Sequence, residues 1–386
     1  MSRLRWAVLG AYVLLAACTQ LLWLSFAAVD TEAARALHVD VGTVGDLAAV
    51  FPLVYIVLAL PTGRWLDSRF GQALSAGAVL TVVGALVRLV SPASFGWQLA
   101  GMLIIAAGQP LVLNSITKIA ARYFSPTERA IAISIGTAAL FAGILAAVLT
   151  AGPLFAAGGM QLLLLAQAVP TLIGALAIMF MVRIRPAFAD DPSVRPSLRW
   201  LAGDRFMWTL ALLVFIGMGT YNAIATWLQP ILDHFGEGAA AGNLIALLTF
   251  AGILGAAVLP SAVAARDQRR TMLLAALVLS AVAFGATAAY HQVIWLGVWL
   301  FADGVLLLAA LPVVLDWSEV HAGPERQGAA VGFLLMAGNL GGLLLVLVVQ
   351  PFIGNAYVAL GLMAVVALLG IPVAWRLPVR TATARQ

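Results

Sequence analysis

The chain has 386 residues, 63% of them hydrophobic and only 10% charged, with a formal net charge of +5. That composition excludes an ordinary soluble domain, in which about a quarter of residues are charged, and makes the lipid bilayer the expected solvent. The single Cys18 excludes a disulfide framework and a cysteine-rich metal site, while 36 Gly and 17 Pro scattered through apolar runs suit membrane helices.

A helix needs about 20 apolar residues to cross the hydrocarbon core. Laid along the chain, that ruler predicts twelve spans, near 6–29, 43–62, 73–93, 96–122, 129–153, 160–183, 206–232, 241–264, 271–290, 292–318, 327–349 and 356–375. The first begins like a lipoprotein signal, with Arg3 and Arg5 ahead of an apolar run through Leu15-Ala16-Ala17-Cys18. The run continues to Val29, however, and reads as a full span. Asp30, Glu32, Asp40 and Asp46 then mark an outer loop, with Asp46 as the expected cap of the second helix. Arg88, toward the outer end of the third span, is expected to snorkel to the headgroups. Lys118, toward the inner end of the fourth, is expected either in an inner gate or against an anionic solute.

An even number of spans puts both termini on one side. All Lys and Arg except Arg35 and Arg88 fall in the odd-numbered connections, at their helix ends or in the tails, so both termini are expected to be cytoplasmic. The longest hydrophilic stretch, Arg183 to Arg205, separates two six-helix halves, giving the expected division 1–183, 184–205 and 206–386. The halves repeat. Pro126-Thr-Glu128-Arg129 returns as Pro324-Glu325-Arg326, and the basic loop Arg64 to Arg69 returns at Arg266 to Arg270 with a nearly equal offset.

Two parallel six-helix repeats joined by a cytoplasmic linker are the plan of major facilitator transporters. Gly63-Arg-Trp-Leu-Asp67-Ser-Arg69-Phe-Gly71 resembles that superfamily's loop signature, although Gln72 and Ala73 replace the basic pair that ordinarily follows. The resemblance implies an all-α membrane protein with twelve transmembrane helices in two pseudo-symmetric six-helix bundles, and a solute site near the midplane. It also implies a gate latch built on Gly63, Asp67, Arg69 and Gly71, to which the repeated Glu128, Arg129, Glu325 and Arg326 are added.

Within the superfamily the chain is similar to the feline leukaemia virus subgroup C receptor-related family. The residues that carry this are Trp23, Gly108-Gln109, Lys118, Tyr123-Phe124, Ala241-Gly242, Ala251-Gly252-Ile-Leu-Gly255-Ala256, Leu311-Pro312, Asp316, Pro324-Glu325 and Gly328. That family is associated with choline and ethanolamine uptake and with haem, so the resemblance implies a small amine. Two of its glutamines are replaced here, by Phe141 and Asn339. A quaternary ammonium donates no hydrogen bond and is held by ring faces, a contact worth about 2 kcal/mol when desolvated; Trp23, Tyr221 and Trp227 are the rings expected to supply it.

The polar groups deep in the first, fourth, seventh and tenth spans are Gln20, Gln109, Asn114, Tyr221, Asn222 and Asp303, with Asn243 and Asn339 on the eighth and eleventh. Asp303 is the sharpest, because a carboxylate at mid-span costs at least about 2.5 kcal/mol to insert. It is expected to pair with a cationic solute, to carry a coupled proton, or to sit satisfied by neighbouring polar groups. His38, His234, His291 and His321 lie at loop ends without catalytic or metal-ligand spacing, so no enzyme, metal or cofactor is expected. The expectation is therefore an alternating-access carrier, secondary active or facilitative, monomeric, in a bacterial inner membrane. Its partners are a small molecule and the bilayer, with no nucleic acid. A drug, metabolite or organic-anion antiporter of the same fold is the alternative, and a transporter-derived receptor or a membrane enzyme the alternative from another class.

Overall fold

The computed structural model describes residues 2–188, 198–323 and 325–379. The middle of the expected linker, Pro324 of the repeated motif and the C-terminal residues 380–386 lie outside them. The described residues form helices α1 Ser2–Trp23, α2 Asp30–Leu37, α3 Val41–Val90, α4 Phe95–Leu113, α5 Ile116–Tyr123, α6 Arg129–Met181 and α7 Arg199–Gly203. They continue with α8 Arg205–Asp233, α9 Ala241–Ala265, α10 Arg269–Ala289, α11 Val293–Ala322, α12 Gln327–Val349 and α13 Ala356–Trp375. Among the described residues, ten helical stretches, α4 with α5 counting as one, are long and apolar enough to cross a membrane. Their outward side chains are apolar too: Ile294 is 79% exposed, Val57 71% and Phe180 65%. Water penalises such a surface and lipid does not.

Two of the ten are far longer than a bilayer needs, and each is broken inside. α3, with 50 residues, departs from helical geometry at Arg69 (φ −145°, ψ 60°), and α6, with 53 residues, at Gly158 and Gly159. Both breaks fall where the sequence places connections, at 63–72 and 154–159, but the connections are shorter than expected. Helix continues through 63–68 and resumes directly after the break. Gly159 adopts φ 63°, a left-handed conformation that a glycine takes without steric cost, so α6 turns without a polar loop.

The connection between the first two expected spans departs from expectation. α1 ends at Trp23 rather than Val29, and residues 30–37 form α2, which buries Ala33, Ala34 and Leu37 on one side. Asp40, not Asp46, caps α3, accepting from the Thr43 backbone N–H at 2.9 Å. The expected fourth span is interrupted after Leu113. There the Ser115 N–H bonds to Val112 O at 3.2 Å, three residues back, which tightens the helix into a turn before α5.

Packing divides the chain into two compact units. The first takes in the described residues of Met1–Ala132, Ala139–Ser197 and Ala322–Gly332, and the second those of Ile133–Ala138, Leu198–His321 and Phe333–Gln386. The beginning of α12 is thus part of the first unit. In that unit α3 packs along α4, over a core that includes Leu22, Phe26, Phe51, Met102 and Leu163. In the second, α13 lies against α10 and α8.

Candidate functional site

The first unit contains a buried charge centre at Asp67. Its side chain is 0% exposed and meets Lys118 Nζ of α5 at 3.1 Å, the lysine side chain being 1% exposed. The same carboxylate accepts from the Gly328 N–H at 2.7 Å and the Ala329 N–H at 2.9 Å, in the first turn of α12. A helix N-terminus with its unsatisfied N–H groups is a natural seat for a carboxylate. The chains approach closely here because two glycines face each other. A Cβ on Gly63 would lie 2.4 Å from Gly328 O, and one on Gly328 would lie 2.5 Å from Gly63 O.

Of the other expected latch residues, Arg69 is exposed at the break in α3, with no hydrogen bond or ion pair among the described residues. Gly71 has only an ordinary contact with Val182. Glu128 is held bidentately by Arg5 at 2.6 and 2.7 Å and receives the Ser125 hydroxyl at 2.6 Å. The Ser125 bond first, and Arg5 after it, hold its carboxyl below the usual range. Arg129 reaches back to the carbonyls of Ala121 and Phe124 at the end of α5 and lies over Phe188. Arg326 is exposed at the head of α12, and Glu325 makes no bond among the described residues. The two glutamates of the repeated motif therefore do not make matching contacts among the described residues.

Asn114, expected to face solute, is fully buried and fully engaged. Its Oδ1 accepts the Tyr55 hydroxyl at 2.5 Å, and its Nδ2 donates to Ala59 O at 3.2 Å and Thr62 Oγ1 at 3.3 Å, tying the α4–α5 break to α3. Arg88 does not snorkel. It is 0% exposed, with Nε donating to Gln98 Oε1 at 2.9 Å, one terminal nitrogen donating to Ser25 at 2.9 Å, and its guanidinium over Phe26 at 5.1 Å. Position along the span sets depth only, and polar groups of two neighbouring segments, Gln98 of α4 and Ser25 after α1, turn this side chain inward.

Gln20 and Gln109 behave differently. Both residues are buried, 5% and 4% exposed, yet their amides bond to nothing among the described residues and neither is sealed off. Each amide therefore opens onto space that water or a ligand can fill. Trp23, half-buried beside Phe51, donates its indole N–H to Ala48 O at 2.9 Å, which leaves the ring face as what it can offer a solute.

In the second unit Trp227 is likewise tied, by its N–H to Val346 O at 2.9 Å. The Tyr221 hydroxyl shares a hydrogen bond with Thr249 at 3.2 Å, and the Asn339 amide folds back to Leu335 O at 2.8 Å. Asn222 rests against Gly342, where a Cβ would lie 2.2 Å from its Nδ2, and Asn243 is exposed on α9. Asp303 is 0% exposed and faces α10, whose Ser280 hydroxyl donates to Oδ1 at 2.5 Å. Its other oxygen is sealed without a partner. Mid-span depth was legible in the sequence, but the direction was not. The carboxylate turns to a neighbouring helix of its own unit, so pairing with a cationic solute is not what this geometry provides. A second carboxylate, Asp316, is held by Arg269 at 2.7 and 2.8 Å.

Tyr55, Ser25, Gln98 and Ser280 were not singled out in the sequence. Each is a polar residue inside an apolar span, and that is the signal that could have found them.

Residues 8–266 match the model of the Major Facilitator Superfamily. Solute carrier family 49 member A3 of Danio rerio is 28% identical over 380 residues, covering 90% of this chain and 78% of that protein. The human choline/ethanolamine transporter FLVCR2 is 23% identical over 389 residues, 92% of this chain and 73% of its own length. Among solved structures, the human organic anion transporter MFSD10 superposes with a TM-score of 0.78 at 15% identity, over 96% of this chain and 99% of that one. The Escherichia coli fucose:proton symporter FucP superposes with a TM-score of 0.74 at 16% identity, over 96% and 97%. Buried ion centres inside apolar helices, lipid-facing apolar surfaces and a family match over most of the chain lead to one assignment: this is a multi-pass membrane protein that belongs to the Major Facilitator Superfamily.

Proposed function

We propose that the chain is a twelve-span alternating-access carrier of a small organic cation or amine of the choline and ethanolamine class. The span count follows from length. A straight 50-residue helix would reach about 75 Å, against a hydrocarbon core of about 30 Å, so α3 and α6 each fold back at their breaks and count twice. Twelve spans put both termini on one side, and the arginine distribution makes that side cytoplasmic. The Asp67 centre then lies at the inner end, where it acts as a latch that lets go as the carrier cycles.

The observation that carries the solute class is the tied indole of Trp23, three residues after the unsealed amide of Gln20 on α1. With its N–H committed to Ala48, the ring presents π-electrons only, which attract a quaternary ammonium and give little to an anion. Gln20 and Gln109 offer neutral dipoles for a hydroxyl. The substrates named for FLVCR2, choline and ethanolamine, support the same class. We further assign the coupled proton to Asp303. A sealed carboxylate oxygen without a donor is tolerable when the group is neutral and very costly when it is charged, which is the property a group that takes up and releases a proton needs.

The test is uptake of labelled choline into proteoliposomes. Trp23→Ala should lower uptake at least tenfold, and Trp23→Phe, which keeps a ring face without the N–H, should keep most of it. Saturable uptake of organic anions with no choline uptake would sink the reading.

A further inference from the structure

The second unit has a groove that transport does not explain. It has a volume of about 1100 Å³ and lies between the beginning of α8, the middle of α12 and the end of α13. That exceeds a drug-sized pocket, which spans about 300–1,000 Å³. Its body is apolar, built from side chains such as Trp208, Phe215, Phe333 and Leu340, and Trp208 and Leu340 are themselves 53% and 37% exposed.

Two cations line the same groove. Arg205 and Arg376 are both exposed, and neither guanidinium makes a hydrogen bond or ion pair among the described residues. The adjacent Asp204 does not neutralise them. One of its oxygens caps α8 at the Met207 N–H, 3.0 Å away, and the other meets His321 at 2.7 Å. A further observation fixes the depth. Trp375, the residue before Arg376, is 62% exposed with the Arg270 guanidinium 4.8 Å above its ring. An exposed tryptophan paired with arginine at a helix end marks the headgroup level of a bilayer. The arginines are therefore at phosphate depth, and the apolar body of the groove runs in the acyl layer.

We infer that this groove holds one anionic phospholipid, its phosphate on Arg205 and Arg376 and an acyl chain along Trp208, Phe215, Phe333 and Leu340. Basic pockets between membrane helices take such headgroups by charge, and the apolar wall adds contact that a soluble phosphate cannot use. Naming the leaflet as the cytoplasmic one rests on the orientation proposed above; the binding itself does not.

The test uses the full chain, purified with its lipids depleted and titrated with phosphatidylglycerol or phosphatidylcholine of matched chains, bound lipid being counted by native mass spectrometry. The unaltered protein should prefer phosphatidylglycerol about tenfold. R205Q/R376Q should abolish that preference, whereas R64Q/R266Q, an equal loss of charge at exposed arginines elsewhere, should change it less than about twofold. Ala337→Phe, which fills the groove without touching charge, should weaken both lipids. The inference is overturned if the two arginine pairs behave alike, if a folded A337F binds as before, or if glycerol phosphate displaces the lipid at equal concentration. None of these readouts depends on transport, so a failed choline assay leaves this result standing, and the converse also holds.

Discussion

Replacing Lys118 by Met and Asp67 by Asn, singly and together, tests whether the Asp67 centre is a coupled unit. At 3.1 Å and an effective dielectric of about 20, the pair attracts by about 5 kcal/mol, part of which offsets desolvation. The carboxylate also receives two backbone N–H groups, charge-assisted bonds of about 1.5–3 kcal/mol each. Lys118→Met removes the ammonium but leaves those two donors, so we expect a loss of about 3 kcal/mol. Asp67→Asn takes the carboxylate from a lysine that is 1% exposed and leaves an amide that can accept one N–H and repels the other. We expect a loss of about 4 kcal/mol, within the range for breaking a buried pair from one side. The double variant should cost less than the sum by at least about 2 kcal/mol. Equilibrium unfolding in mixed micelles, followed by tryptophan fluorescence, measures all three. If the cycle closes additively within about 0.5 kcal/mol, the two charges do not act on each other and the centre is only a set of neighbours.

Gly63→Ala should cripple folding or transport, because its methyl would meet Gly328 O, whereas Gly71→Ala, with nothing nearer than 3.9 Å, should be silent in the same uptake assay. Arg88→Lys should cost about 2 kcal/mol in micelle unfolding, since one ammonium cannot reproduce both the Gln98 bond and the flat contact with Phe26. Asp303→Asn keeps the acceptor for Ser280 and should fold within about 1 kcal/mol of the parent, while uptake loses its response to an imposed pH gradient; an unchanged response would remove Asp303 from coupling. Glu128 has a folded pKa below its unfolded one. Its Ser125 hydrogen bond and, after it, its pair with Arg5 therefore contribute above the unfolded value and are lost as pH falls through the folded one. Glu128→Gln should flatten that acid limb of stability, read as unfolding midpoint against pH.

Hydropathy made the membrane character and the long helices legible, because crossing lipid demands length and apolarity and little else. Asp67 was legible for another reason: the stretch from Gly63 to Gly71 resembles the superfamily's loop signature. What the sequence could not give was rotation. Membrane helices such as α11 and α3 are apolar almost all round, so no polar face says which way Asp303 or Arg88 points. Depth alone put the first in a cavity and the second at the headgroups, and neighbours chosen by packing put them elsewhere. Asn114 was misread in the same way, since its partners Tyr55, Ala59 and Thr62 lie more than fifty residues earlier. The short α2 escaped because its residues are half polar and its burial depends on the neighbouring helices.

Asp67 grips α12 by peptide N–H groups, not by side chains. Such a grip has no partner residue that could be recoded. At position 329 a substitution changes bulk at the crossing but cannot delete the donor, unless it is proline. The contact is thus specified by the path of the backbone. Screens that look for compensating charge changes opposite Asp67 on α12 should return none, and should find suppressors instead at positions that shift the helix axis.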